Sequence, residues 1–390
     1  LLTVLAVFAL RFSVVQTFLT KKVVDYLAEE LNTTISIDRV YFKPFSSWDL
    51  SSSLELRNLS INDRKGDRML HTKSLTAGLS FGKIFNNRIE IRKLKLQEAF
   101  VRYQIDSTGS NFDFLIDYFA PAREEKTGGS AAMEWRLRHI ELQDCAFTLN
   151  NHRYKRKHAG VDFSDLALTA ISGIISSIRF SETDVSAEVK GLTLRDKSGL
   201  LLKELSTSAY VSGRKMAFKN LALRTNRSVI GDYLLFEYAG FRDFGDFIRK
   251  VNIQSTLRGS HVDSRDIAFF APDMECVRFE ASIPLVSLSG TVEHIRARQS
   301  YIRTGESTLL KGDFTIDGLP DIERTEFRFD LADLATDARD LERIVPPLAD
   351  LPALALPDIV QRIRTLRYEG TLTGFYHHFK VAGRAHTSAG

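Results

Sequence analysis

LELRNLSI, residues 54–61, carries apolar side chains at Leu54, Leu56, Leu59 and Ile61, a spacing of i, i+2, i+5 and i+7. Each pair alternates, which puts its two members on one face of a strand. Strict alternation through the whole octet would throw the second pair onto the other face. A β-bulge, where two residues of one strand oppose a single residue of the next, restores one apolar face. The octet recurs as Ile89/Ile91/Leu94/Leu96, Trp135/Leu137/Ile140/Leu142, Val161/Phe163/Leu166/Leu168, Ala187/Val189/Leu192/Leu194 and Met216/Phe218/Leu221/Leu223. Of the 24 positions in between, only Ala167, Gly191, Ala217 and Ala222 are neither charged nor hydrogen-bonding. A short amphipathic helix fits i, i+5, i+7 in part. The β-branched and aromatic content and the Asp/Asn/Gly punctuation point instead to bent strands, or to short strands meeting at a kink.

The punctuation repeats as well. Leu59-Ser-Ile-Asn-Asp63-Arg-Lys-Gly66 resembles Leu192-Thr-Leu-Arg-Asp196-Lys-Ser-Gly199, with Asp opening a turn and Gly three residues later. Neither aspartate has the cluster of oxygen ligands that calcium requires. Helical spacing is expected at Asn111–Phe119, Asp232–Val251, Asp333–Val345 and Pro357–Leu366. The polar stretch Ala120–Ala132 reads as a linker, and the tail from Leu366 alternates again.

Upstream of the strands, Leu1–Leu19 (LLTVLAVFALRFSVVQTFL) is interrupted only by Arg11 and Gln16 among strongly polar residues. About 20 apolar residues span a bilayer core. No small-residue cleavage site precedes Lys21-Lys22, so the segment is expected to be an uncleaved single-pass anchor, with a buried soluble helix as the alternative. Leu1 in place of Met suggests further residues upstream, and the open-ended tail suggests more beyond Gly390. Thr20–Leu31 places Val23, Val24, Leu27 and Leu31 on one helical face, with Asn32 as its stop.

The expected fold is mainly β: a transmembrane helix followed by an elongated, curved, open antiparallel β-sheet, a β-groove with short helical insertions. Its expected parts are an anchor (1–20), a juxtamembrane helix (21–32) and a first groove segment (33–119). A linker (120–133), a second segment with a helix near 232–251 (134–260) and a third segment (261–390) follow.

Composition narrows the function. The chain has 390 residues, 53 basic and 49 acidic, for a net charge of +4, too mild for a dedicated nucleic-acid binder. Its 27 Phe supply apolar surface that needs no polar partner. Cys145 and Cys276 read as small core residues, with a single disulfide as the alternative. No phosphate loop, nucleophile elbow or zinc helix is present. Adjacent His377 and His378 would point to opposite faces of a strand. Arg153-Tyr-Lys-Arg-Lys-His158 reads as a solvated hairpin tip, with anionic lipid headgroups as the alternative partner. No catalytic, cofactor or metal residues are expected, and the chain is read as a non-enzyme. A greasy sheet face must be covered by helices, a second sheet or a ligand, and the helical segments are too short and few to cover every strand.

The run KKVVDYLAEELNTTISIDRVYF after the apolar segment, the LSINDRKGDRML turn, GSNFDFLIDYF, HAGVDFSDLALTAI, FRDFGDFIRKVNIQSTLRGSHVDSRDIAFFAPDM and IDGLPDIERTEFRFDLADLATDARDLERIVP together resemble the TamB family of translocation and assembly module subunits, within the AsmA-like group. The likeness covers nearly the whole chain through diffuse patterns. It implies an inner-membrane anchor, a periplasmic β-groove and phospholipid transfer toward the outer membrane. It also implies an outer-membrane barrel partner of the TamA type, engaged through a family C-terminal domain absent from these residues. The residues expected to line the groove are Leu56, Ile61, Ile91, Leu96, Leu137, Leu142, Phe163, Leu168, Val189, Leu194, Phe218 and Leu223. The rival reading is a scaffold whose strand edges assist outer-membrane proteins or polysaccharide.

Overall fold

The structure, a computed structural model, describes residues 24–26, 28–43, 51–80, 88–119, 134–154, 159–181, 183–272, 275, 278–348, 365–375 and 377–388. The apolar run Leu1–Leu19, the linker 120–133, Lys155–His158, Cys276 and residues 357–364 lie outside the described residues. The chain is mainly β, an open and almost wholly antiparallel sheet with few, short helices. It divides into two units: Leu1–Lys157 with Asp162–Arg179 and Ala187–Gly199, and His158–Val161 with Phe180–Ser186 and Leu200–Gly390.

In the first unit, β1 (Ile35–Ser36) and β2 (Arg39–Lys43) lie end to end along β3 (Ser51–Asn62). Next come β4 (Arg68–Ser80) and β5 (Arg88–Ile105), antiparallel in turn. The short β6 (Glu134–Leu137) and then β7 (His139–Asn151) run parallel to β5. This departs from the all-antiparallel expectation. A parallel return needs a crossover of a dozen or more residues, and the chain from Ile105 to Glu134, with helix α1 (Asp113–Phe119), supplies it. Antiparallel β8 (Asp165–Phe180) and β9 (Asp184–Asp196) complete the unit.

The second unit is an up-and-down array. Its strands are β10 (Leu201–Ser212), β11 (Lys215–Arg224), β12 (Val229–Glu237), β13 (Asn252–Asp263), β14 (Glu280–Gly290), β15 (His294–Thr304), β16 (Thr308–Asp317), β17 (Glu326–Thr336), β18 (Leu366–Phe375) and β19 (His378–Thr387). Each is antiparallel to the next.

Three of the octets carry left-handed backbone at their extra residue, with a break in register at Asn220 and none at Asn58. Asn58, Gly191 and Asn220 occupy the fifth position of their octets with φ of 52°, 59° and 50°. At the other two strand octets the extra residues are Arg92, skipped where the register of β4 and β5 shifts, and Arg138, the break between β6 and β7. Left-handed backbone recurs at Glu98, Asp144 and Ala170 of the first unit and at Asp232, Gly259 and Gln299 of the second. In the first unit Asn58, Glu98 and Asp144 stand at one level, across Lys73 of β4, while Arg92 and Arg138 stand at a second level several residues away. In the second unit Asn220 and Asp232 meet at a break in register. The level through Asn58, and that through Asn220 and Asp232, are the creases of their units.

Three expectations shift. Val161–Ser164 precede β8, so the octet beginning at Val161 is half turn, half strand. Asp232–Glu237 is strand, paired on both sides, with β11 and with β13. Only a 3-10 turn (Phe241–Asp246) and a four-residue helix, α2 (Phe247–Lys250), follow it. A further turn of helix, α3 (Ser264–Ile267), follows β13. β17 runs on to Thr336, and α4 (Ala338–Leu348) begins only after it.

The Asp-led turns form as read: the Gly66 and Gly199 N–H groups donate to the Asp63 and Asp196 carbonyls at 3.0 Å. Asp340, 1% exposed in α4, clamps the β15–β16 turn by accepting from the N–H groups of Glu306, Ser307 and Thr308 at 3.0, 2.6 and 2.8 Å. A side chain on Gly305 (φ 61°) would collide with that carboxylate. Burial pushes the Asp340 carboxyl up, but the Glu306 and Ser307 N–H groups and the Ser307 and Thr308 hydroxyls outweigh it and hold it well below the usual carboxylate range.

Asn220→Val should destabilise by about 1–2 kcal/mol, because a β-branched residue resists left-handed backbone, and Asn220→Gly should not; urea denaturation of the pair checks this. The depressed Asp340 carboxyl stabilises fully above the unfolded titration near about 4, and that contribution is lost as pH falls further. The gap in Tm between the protein and Asp340→Asn should therefore be full at pH 7 and begin to shrink only below about pH 4, being smaller at pH 3.

Candidate functional site

Strand register collects the apolar residues into cross-strand rows, because directly paired residues share a face. In the first unit one row runs Val40–Leu56–Leu75–Leu96–Leu142–Gly173, and a second Phe42–Leu54–Ala77–Leu94–Ile140–Ile175. Across the crease a third runs Ile35–Ile61–Leu70–Val101–Phe147–Leu168. In the second unit the longest runs Ala209–Phe218–Leu234–Ser255–Leu288–Ala297–Phe314–Phe329–Leu372–Val381.

Burial is graded across these rows. Residues at or next to the crease are buried and mostly small or polar: Leu59, Thr72, Ala99 and Cys145 in the first unit, and Thr207, Leu221, Ser260, Ala297 and Ser300 in the second. The flanking rows are largely half-buried, including Leu56, Leu75, Leu96, Leu142, Phe314, Phe329 and Leu372. The face is therefore deepest along the crease and open on both sides of it.

Helices cover only parts of the face. In the first unit Phe114 of α1 packs with Leu31 and Met69, joined by Ile35, Ile61, Phe112 and Leu115. In the second, Phe244 and Phe247 stack edge-on against Phe236 at 6.2 and 5.7 Å between ring centres. Phe236 in turn meets Phe218 at 6.4 Å.

The opposite face is ionic. Glu141 takes Lys93 and Lys95 at 2.7 and 3.1 Å, and those two lysines hold its carboxyl below the usual range. Lys73 meets Glu98, and Arg367 meets Asp333. A cavity of about 400 Å³ lined by Asn252, Ser289, Gly290, Thr291, His294 and Arg296 opens on this polar side. Among the described residues no group of His, Cys, Asp or Glu could hold a metal ion. Cys145 is a free, buried thiol.

Of the residues expected to line the face, Leu56, Leu96 and Leu142 share one row, and Ile61 and Leu168 another. Ile91 and Leu137 are directly paired in register. Leu223 pairs with Leu205 and Ile230, while Val189 and Leu194 lie half-buried on β9. Phe163 is a correction: it lies in the turn before β8, 42% exposed and outside the rows, because Asp162 and Ser164 form a local turn there. Missed were Leu70, Leu75, Phe147 and most of the second unit's row. Ser255/Leu257/Ser260/Val262 and Ile295/Ala297/Ser300/Ile302 keep the octet spacing, with serine in three of the eight places.

No protein-family model, curated protein or solved structure matches this chain. Among the described residues, no helix is long and apolar enough to cross a membrane.

A carboxylate should separate the two depths of the face. Leu372→Asp, half-buried, should cost about 1–2 kcal/mol. Ala297→Asp, in the same row but 1% exposed, should abolish cooperative unfolding, because a buried unpaired charge costs several kcal/mol. Chemical denaturation of both variants checks the contrast.

Proposed function

We propose that this chain is a bridge-like lipid carrier of the cell envelope. In this reading the creased apolar face is a groove that solvates the acyl chains of phospholipid moving toward the outer membrane. The supporting observation is the graded burial: continuous apolar rows, half-open beside a deep crease, backed by an ionic face. A diacyl lipid in water exposes chains at about 0.8 kcal/mol per CH₂, on the order of 20 kcal/mol in all. A greasy face along the path removes most of that barrier without catalysis, and selects weakly because acyl chains differ only in length and bulk. The proposal includes the Leu1–Leu19 segment as an inner-membrane anchor with the bulk of the chain in the periplasm, as the TamB-like patterns imply. A barrel of the TamA type would be engaged through sequence beyond these residues.

Phospholipid should co-purify with the detergent-free protein and appear by native mass spectrometry. Leu194→Asp should abolish lipid transfer between vesicles while leaving the fold intact. Normal transfer by that variant, with no lipid bound to the parent protein, would defeat the proposal.

A further inference from the structure

The apolar face of the second unit carries a second row beside its longest one: Val211–Met216–Phe236–Ile253–Gly290–Ile295–Ile316–Phe327. Its large side chains are half-buried on both sides of β12. At Phe236 the row is crossed. Residues 239–250 leave the end of β12, fold over the face as the 3-10 turn and α2, and return to β13. Phe244 and Phe247 rest on the Phe236 ring, so anything lying along the row at this point meets them.

The segment is a strap pinned at its two ends. Tyr238, 6% exposed, donates its hydroxyl hydrogen to the Ser212 carbonyl at 2.8 Å, and Val251 is 0% exposed. Between them no residue of the 3-10 turn or of α2 is fully buried, and Phe241 is exposed. Several polar contacts of the strap are internal to it. Asp243 accepts from the N–H groups of Ala239 and Gly240 at 2.7 and 3.3 Å, and Asp246 pairs with Arg249 and Lys250. These travel with the strap. A turn and a four-residue helix are too short to stand without packing, so their position rests on what they touch.

What the strap meets is a fixed stop. Ile248 packs against Ala271, which is 2% exposed, together with Ile267 and Phe279. Phe279 also packs on the Leu257, Val286 and Ala297 cluster, so the meeting point lies over the apolar face. Residues 264–272 are held down by Asp266, which accepts from the Thr225 hydroxyl and the Ser228 N–H, and by the Val161 N–H, which donates to the Phe269 carbonyl at 2.7 Å. The strap closes on this stop through apolar contact at Ile248 and through the Glu293 N–H, which donates to the Ile248 carbonyl at 3.1 Å.

We propose that residues 239–250 are a gate on the acyl path of the second unit, closed by Ile248 against Ala271 and opened when the strap lifts off Phe236. The gate rests on the lipid-carrier reading and adds to it a point of control. Lifting the strap into water exposes Phe244 and Phe247, which is unfavourable. An acyl chain sliding beneath them replaces the contacts they lose with Phe236. The strap therefore yields to lipid and stays shut against water, as a lid does over its substrate.

Ile248→Cys combined with Ala271→Cys lets oxidation tie the strap to its stop. Phospholipid transfer between phosphatidylcholine vesicles by the oxidised, disulfide-linked double variant should fall at least about tenfold below that of the same protein after reduction. The parent chain, which carries Cys145 and Cys276, should transfer equally under both treatments. Equal transfer by the linked and reduced variant would overturn the gate and leave the carrier reading standing. Amide exchange in the unmodified chain, read by mass spectrometry, is a second test that needs no variant. The buried Val251 N–H donates to the Phe247 carbonyl at 3.3 Å, so it exchanges when the strap lifts. It should exchange at least about tenfold faster than the amides of β13 beneath the strap, because local opening costs less than opening the sheet. Exchange no faster than that of β13 would overturn the gate. A parent chain that moves no lipid would defeat the carrier reading, and the gate with it.

Discussion

Everything in this sheet depends on residues held in left-handed backbone in mid-strand. An apolar run of period two cannot pass an extra residue and keep its face unless the backbone absorbs that residue locally. Asn58, Gly191 and Asn220 do so, and Glu98, Asp144, Ala170, Gly259 and Gln299 repeat the device. Each bulge also bends its strand. Because Asn58, Glu98 and Asp144 stand at one level from strand to strand, as Asn220 and Asp232 do, their kinks add into a crease, and the apolar face acquires depth. Face and crease thus have one cause.

A bulge breaks the ladder, and the freed carbonyls need donors. Small hydroxyls beside the crease supply them. Thr72 donates to the carbonyls of Ser74 and Gln97 at 3.0 Å, Thr207 to that of Lys219 at 2.9 Å, and Ser255 to that of Tyr233 at 2.7 Å. Ser260 accepts from the Gly231 N–H at 3.1 Å. This is why the most buried level is not purely aliphatic. At the strand ends buried aspartates do the same for turns. Asp266 takes the N–H groups of Arg227 and Ser228 at 2.9 and 2.8 Å, as Asp340 does for the β15–β16 turn. A sheet whose apolar face is half-open has less packing to hold it together than a closed sandwich, and these polar clamps fix strand geometry where packing does not.

Much of this was legible in the octets. Their spacing demands that the backbone absorb one residue in mid-octet, as left-handed Asn58, Gly191 and Asn220 do, and the Asp63 and Asp196 turns follow from Asp and Gly three residues apart. The spacing also groups Leu56, Leu96 and Leu142 correctly. It fails at Phe163, where alternation around Asp162 and Ser164 looks like a strand but local side-chain hydrogen bonds to the backbone win. It is silent where serine stands in an apolar place, as at Ser260 and Ser300, because the crease tolerates a small polar residue and a search for apolar residues does not.

The sequence by itself determined the class of structure, the one-sided distribution of apolar residues and several of the positions where the backbone turns left-handed, since these are local consequences of side-chain period and backbone preference. Only the tertiary structure decided that β7 returns parallel to β5, that the bulges align into a crease, and that the rows are half-open while the crease is closed. Those depend on which residues of distant strands stand opposite one another, a matter of register that no single strand carries.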